Sequence, residues 1–571
     1  MTPASLKGQL RGRAGISAGL LALLASTFLC FGVTLRATDA IPLGSPVFWL
    51  AALALAAALW VAFLALGGGL RSLVAADPVG RRMRERAEGL RGRTRVVLAA
   101  GGACCALCWV VALLAAWPGY FCYDTGEIRS FVLAGTLSDA QSVLHELFAG
   151  GVIRGALAAT GSWNASIATF VVVQAAIELA ALLYALDRMA RWGASDVVLA
   201  LCWLYFSLDP FVLMLGLCTT KDTLFATWVL LLVVECCSLW LGPRRTQPAV
   251  SALAIAALSF LAGAYRSNGR IVVALLGAVV VLALVVRRAG GRRAAPRRPG
   301  GLGVLAVGLV AGILAGALWS GPAARVLEVE HRNPVREMIS VPTANLAYLA
   351  SRGVCVDLPE ELSDLDLGLL GMGWDQCYQN SDVYRPYAWE VVESGRGRAL
   401  LRYWLGVARE YPAAAATSTL MLTRCAWDPT FEAASYQATW YRNVPDFAYG
   451  ETDTSVFACW VEGPGVQQTK VPWLADLFWR ISRYRNYGGM PWLALLGSPA
   501  ALNWILLGCL AFSVADKNPL GATVSLSLLA VVGTLLLGPT TLVRYYAFLV
   551  FCLPFVLFLA LRGRACLEAA A

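Results

Sequence analysis

The chain has 571 residues, 58% of them hydrophobic and only 14% charged, with a mean hydropathy of +0.64. That balance excludes a soluble globular protein of this length and predicts an integral membrane protein. The net charge of +10 requires no nucleic-acid partner, because residues 320–490 carry 20 acidic and 15 basic side chains and the excess positive charge lies in loops between apolar segments. A basic surface lying on anionic lipid accounts for it.

Apolar runs long enough to cross roughly 30 Å of hydrocarbon recur near 14–35, 46–68, 97–116, 166–186, 197–219, 223–241, 248–264, 271–286, 301–319, 492–513, 519–537 and 543–562. The expected fold is therefore an all-α polytopic membrane protein with about twelve transmembrane helices. Arginines orient it, since positive residues are retained on the cytoplasmic side. Residues 71–96 carry eight Arg, and residues 287–298 carry six Arg with no acid. Alternation then places Lys7, Arg11 and Arg13, the turn from Asp187 to Arg191, Arg244-Arg245 and Arg562 to Arg564 on the same side. Both termini are expected in the cytoplasm. The charged start and the long first apolar run fit a retained helix better than an export signal. The Ala/Gly/Arg-rich composition suggests a bacterial plasma membrane.

Three parts follow from this layout: a membrane domain over 1–319 with about nine helices, an extracytoplasmic domain over 320–490, and about three further helices over 491–571. Outer segment 117–165 is too long for a turn, and its spacing predicts one or two helices along the interface. Residues 217–222 and 265–270 read as tight outer turns. Residues 320–490 are long enough for a core of their own, with helix near 386–410 and loops after 440. Four cysteines, Cys355, Cys377, Cys425 and Cys459, fall in that segment and are disulfide candidates. Three connectivities remain open. Their spacing is too wide for a tetrahedral zinc site.

The polar residues of the outer turns make a recognisable set. Tyr123-Asp124 stands in the first large outer loop, followed by Asp139 through Gly150, Thr220-Lys221-Asp222, Arg266-Ser-Asn268-Gly269, Ile339 through Pro342, and Arg544-Tyr545 at the head of the last helix. In this order they resemble the GT-C superfamily of polyprenyl-phosphate-dependent glycosyltransferases, within a branch of bacterial multi-pass membrane proteins. The resemblance spans roughly residues 110–345 and the last helix. One departure is that relatives carry His-Pro soon after the loop acid, where this chain has Gln141-Ser142 and keeps only the later His145. A glutamine hydrogen-bonds but takes no proton at neutral pH.

The resemblance implies transfer of a sugar from a polyprenyl-phosphate donor to an extracytoplasmic glycan or protein acceptor. Such chemistry needs a base for the acceptor hydroxyl and positive groups for the departing phosphate. Asp124 is the expected base, with Glu127 and His145 as further catalytic candidates. Lys221, Arg266 and Arg544 are the expected phosphate contacts, joined by Asp222, Asn268 and Tyr545. Asp222 can orient Lys221 or hold Mg2+ or Mn2+, a metal that Glu127 would share. Each has a plainer reading: an acid past a helix end caps it, Lys221-Asp222 starts a helix, arginines at the interface snorkel, and a histidine on an amphipathic helix is structural. His331, among Glu328, Glu330 and Arg332, reads as part of a solvated face.

Two other functions remain in play. Glu178, Asp209 and Glu235 fall within apolar runs, and intramembrane carboxylates mark transport paths, so a transporter or flippase of envelope precursors is the main alternative. Local pairing is expected for Glu178 and Glu235, and an early helix exit at Asp209-Pro210. The remaining alternative is an inactive sugar-binding membrane protein whose outer aromatics, such as Trp374 and Tyr378, stack on sugar rings.

Overall fold

The computed structural model describes residues 12–38, 40–75, 82, 85, 92–121, 125–139, 142–241, 248–266, 269–289, 300–331, 339–354, 358–363, 390–429, 468–483, 490–538 and 543–570. These residues form helices and connecting turns, with two isolated bridges and no β-strand. In chain order the main helices are α1 (Arg13–Thr38), α2 (Pro46–Ala75), α3 (Gly92–Ala115), α4 (Gly126–Ala134), α5 (Val143–Thr160), α6 (Trp163–Arg191), α7 (Asp196–Leu208), α8 (Pro210–Gly216), α9 (Lys221–Leu241), α10 (Pro248–Tyr265), α11 (Gly269–Ala289) and α12 (Gly300–Leu318). They continue as α13 (Ser340–Ser351), α14 (Gly397–Glu410), α15 (Pro412–Leu422), α16 (Pro472–Arg483), α17 (Pro499–Ala515), α18 (Pro519–Leu535) and α19 (Ala547–Ala570).

The chain is an all-α, multi-pass membrane protein. Among the described residues eight helices are long and apolar enough to cross a bilayer, nine if the bent pair α7–α8 counts as one span. Two more apolar helices are shorter, Pro499–Ala515 and Pro519–Leu535, and α11 (Gly269–Ala289) is a further apolar helix of 21 residues. Each of the twelve apolar runs is thus helical, although not all reach full spanning length. Large apolar side chains such as Leu50, Leu53, Leu66, Val307 and Leu314 face outward, as a bilayer requires.

Polar contacts sort the helix ends into two groups. At one end Arg71 pairs with Asp516 at 2.8 Å, Arg82 donates to the Gly193 carbonyl, Thr94 bonds Asp196, and Asn518 bonds the Leu559 carbonyl. The opposite end gathers residues 117–121, 137–139, 142–146, 217–222, 264–266, 424–428 and 543–546, and the Gln468 amide joins it by donating to the Trp117 carbonyl at 2.7 Å.

Helix α7 stops where expected. Pro210 lacks the amide that would continue the ladder, and the Asp209 carboxylate accepts from the Phe211 and Val212 amides at 2.8 and 3.1 Å, starting α8 at an angle of 59°. Elsewhere small residues set the spacing: a Cβ on Gly312 would stand 2.4 Å from Ser259 Cβ and 2.7 Å from the Ala256 carbonyl, so α12 packs backbone-close on α10.

The long segment after α12 does not stand apart in its described portion. Its buried residues, among them Leu346, Leu349, Leu400, Met421 and Trp427, form one apolar cluster with Phe31, Leu35, Ile41 and Phe48 of the first two helices and their connection. Below them Arg424 pairs with Asp428 at 2.9 Å and donates to the Gly32 carbonyl at 2.8 Å, all deeply buried. Asn503 and Trp504 of α17 donate to the carbonyls of Ala426 and Trp427. Cys425 is half-buried in this turn, whereas Cys355, Cys377 and Cys459 lie outside the described residues.

Candidate functional site

The turn between α8 and α9 is the centre of the loop-rich end. Tyr120 and residues 217–219 pair by backbone, the Tyr120 amide donating to the Leu217 carbonyl at 2.9 Å and the Thr219 amide to the Tyr120 carbonyl at 3.0 Å. Gly119 makes this approach available, with φ +115° and a would-be Cβ only 2.6 Å from Val171. Gln174 of α6 braces the turn from beneath, donating to the carbonyls of Gly216 and Cys218. His145 braces it from α5, with Nε2 at 2.8 Å from the Thr219 carbonyl.

Asp222, in the first turn of α9, is fully buried and carries two guanidiniums. Arg266 Nη1 donates to Oδ1 at 2.5 Å, and Arg544 Nη1 lies 3.6 Å from Oδ2. Tyr545 stacks beside both, its ring centre 4.6 Å from the Arg266 guanidinium and 5.2 Å from that of Arg544, and Phe225 flanks Arg266 at 5.4 Å. Three stretches separated by up to 322 positions (222 to 544) thus meet at one point. Arg544 is 3% exposed and Arg266 10%. The plainer reading of these arginines as interfacial snorkellers does not hold.

Other expectations need correction. Asp222 orients the two arginines rather than Lys221. Its Oδ1 accepts from Arg266 while its Oδ2 faces Arg544 at 3.6 Å without a hydrogen bond, and among the described residues no three acidic, Cys or His side chains gather around a cation position. Glu127 contributes instead to the field around Glu146. His331 is not simply solvated: its Nδ1 lies 2.7 Å from Asp139 Oδ2, where residues 137–139 pair by backbone with Glu330. Glu235 accepts from the Tyr184 hydroxyl, as expected, but Glu178 has no hydrogen-bond partner among the described residues. Asp124, Asn268 and Gln141 lie outside the described residues.

His145 and Glu146 have defined chemistry. A carbonyl only accepts, so His145 Nε2 carries the proton. Burial pushes the imidazole down to about 4, which leaves it neutral with a bare lone pair on Nδ1, able to accept a hydrogen bond but not to attract phosphate. Glu146, which lies in the stretch from Asp139 to Gly150 but is given no role by the sequence, accepts from the Ser138 amide at 3.1 Å. Burial pushes its carboxyl up to about 8, helped by Glu127 and Asp139 and opposed by Lys221 and the Ser138 bond. The histidine is capped in place by Ser142, whose Oγ accepts the His145 amide and donates to the Ala264 carbonyl, tying α5 to the end of α10.

Residues 133–293 match the model of a family of unknown function (DUF6020). That stretch, from the end of α4 past α11, holds His145, Glu146, Lys221, Asp222 and Arg266, whereas Arg544 and Tyr545 lie beyond it. No curated protein and no solved structure matches the chain.

Proposed function

We propose that this chain is a GT-C-like membrane glycosyltransferase that moves a sugar from a polyprenyl-phosphate donor to an extracytoplasmic glycan or protein. The observation that carries this reading is the convergence of Arg266, Arg544 and Tyr545 on Asp222 at one end of the helix bundle. Guanidinium forks match phosphate oxygens, and a carboxylate between two of them holds both in register. In this reading twelve spans cross a bacterial plasma membrane. The arginine-rich end and both termini face the cytoplasm, so the site opens where a lipid-borne phosphate presents its head group.

The reaction assigns a task to each group. A carboxylate, for which Asp124 is the candidate, takes the proton of an acceptor hydroxyl. The acceptor oxygen then bonds the anomeric carbon as the bond from that carbon to the phosphate oxygen breaks. Charge that builds on the leaving polyprenyl phosphate is met by Arg266 and Arg544, and stabilisation of this kind is worth about 10²–10³ in rate per donor. His145, neutral, holds the turn that carries Lys221 and Asp222.

The test is reconstitution in liposomes with labelled polyprenyl-phosphate sugars, comparing the natural protein with Arg544→Gln and Asp124→Asn. Transfer should fall at least about a hundredfold in each variant. Undiminished transfer by Arg544→Gln would remove the arginine pair from the mechanism. Glu178 is the observation that favours the transporter alternative, and solute uptake that needs Glu178 but not Arg544 would support it instead.

A further inference from the structure

Gln174 and Glu178 stand one turn apart on α6, against α8 and beneath the turn that carries Asp222. The Gln174 amide nitrogen donates to two carbonyls, those of Gly216 at 3.1 Å and Cys218 at 2.9 Å. Because both neighbours only accept, the orientation of the amide is fixed, and its Oε1 is left buried with no donor. Glu178 is 1% exposed, and neither of its carboxyl oxygens has a hydrogen-bond partner. Gly216 gives it room: a Cβ there would stand 3.3 Å from Oε2.

Among the described residues no ion pair reaches Glu178: on α6 itself Arg188 is turned to the Tyr184 hydroxyl, and on α5 His145 is turned to the Thr219 carbonyl. From α3 the titratable neighbour is Cys105, whose thiol is directed to the Phe206 carbonyl at 3.6 Å. On α8 the side chains between Asp209 and Gly216 are apolar. Asp209, at its start, uses Oδ1 to cap two amides and leaves Oδ2 equally without a donor. Glu235 of α9 is engaged with Tyr184, further along α6. Four acceptor oxygens, three of them on carboxyl groups, are thus enclosed among apolar helices with no donor among the described residues. Such an arrangement is costly unless a positive partner binds, and intramembrane carboxylates of this kind are characteristically ion or proton sites.

We propose that Glu178, with Gln174 Oε1, binds one monovalent cation, a proton or a sodium ion. A divalent ion is disfavoured by the single carboxylate and by the reluctance of Mg2+ to shed water. Since Gln174 also holds the Gly216 and Cys218 carbonyls, occupancy acts on the floor of the arginine site. The proposal is independent of sugar transfer.

The test uses the full chain in lipid nanodiscs, comparing the natural protein with Glu178→Gln, which has the shape and neutrality of a protonated glutamate. If the ligand is a proton, the infrared carbonyl stretch of a protonated carboxyl is present at neutral pH, is lost in Glu178→Gln and does not respond to sodium. If it is sodium, that band appears only in sodium-free buffer, and added sodium raises the melting temperature of the natural protein but not of the variant. Gln174→Leu, which keeps the carboxyl, should shift the band in the first case and weaken the sodium effect in the second. Identical spectra for the natural protein and Glu178→Gln, with no sodium-dependent difference in melting, would overturn the proposal.

Discussion

Replacing Asp222 with Asn preserves the outline of the side chain and removes the charge that Arg266 and Arg544 share. In the folded protein the carboxylate is fully buried, 2.5 Å from one guanidinium and 3.6 Å from the other, which are themselves 10% and 3% exposed. An exposed pair would be worth at most about 1 kcal/mol, but breaking a buried one by removing a single partner costs about 3–5 kcal/mol, because the remaining charge stays desolvated. Here two positive charges remain, so the upper part of that range is expected. The readout is thermal unfolding followed with a thiol-reactive dye, since Cys105, Cys202, Cys218, Cys237, Cys509, Cys552 and Cys566 are buried and become reactive only on opening. A clearly lowered melting temperature should be partly restored in Asp222→Asn/Arg266→Gln, with a coupling of about 1–3 kcal/mol. Polyprenyl phosphate should raise the melting temperature of Asp222→Asn more than that of the natural protein, because it replaces the missing negative charge. An Asp222→Asn protein that melts with the natural one would refute the buried-pair argument.

Four further outcomes follow from the same geometry. Glu146 has a folded value near 8 against an ordinary 4.5, so the folded protein holds the extra proton between those values. Its contribution to stability is full at low pH and lost as pH rises through about 8, and the stability of Glu146→Gln should lack that decline when the two pH profiles are subtracted. His145 acts in the opposite sense, its contribution being lost as pH falls from 6.5 toward 4. Gly312→Val would drive a methyl group into Ser259 and the Ala256 carbonyl and should destabilise by about 1–3 kcal/mol, whereas Gly303→Ala, which meets nothing within 4 Å, should melt unchanged. Arg424→Met strands the Asp428 carboxylate against Gly32 and should cost about 3–5 kcal/mol, with faster proteolysis near α15; equal protease resistance would show that this pair does not hold the segment to α1.

The sequence by itself determined the membrane class, the positions of the apolar helices and the early end of α7, because these depend on local properties: run length, arginine placement and the missing amide of Pro210. It also singled out Asp222, Arg266, Arg544 and Tyr545 as functional candidates. Only the tertiary structure decided that Asp222 serves both arginines, since a choice of partner depends on which distant ends meet. The same holds for Glu146 and Glu178. As letters they are two acids on apolar-faced helices, and what distinguishes them is enclosure by α4, α8 and the 217–220 turn, which removes water and leaves their oxygens to whatever the neighbours can donate. Likewise His331 found Asp139, and the described helices after α12 shared a core with α1, because packing joins segments far apart in the chain.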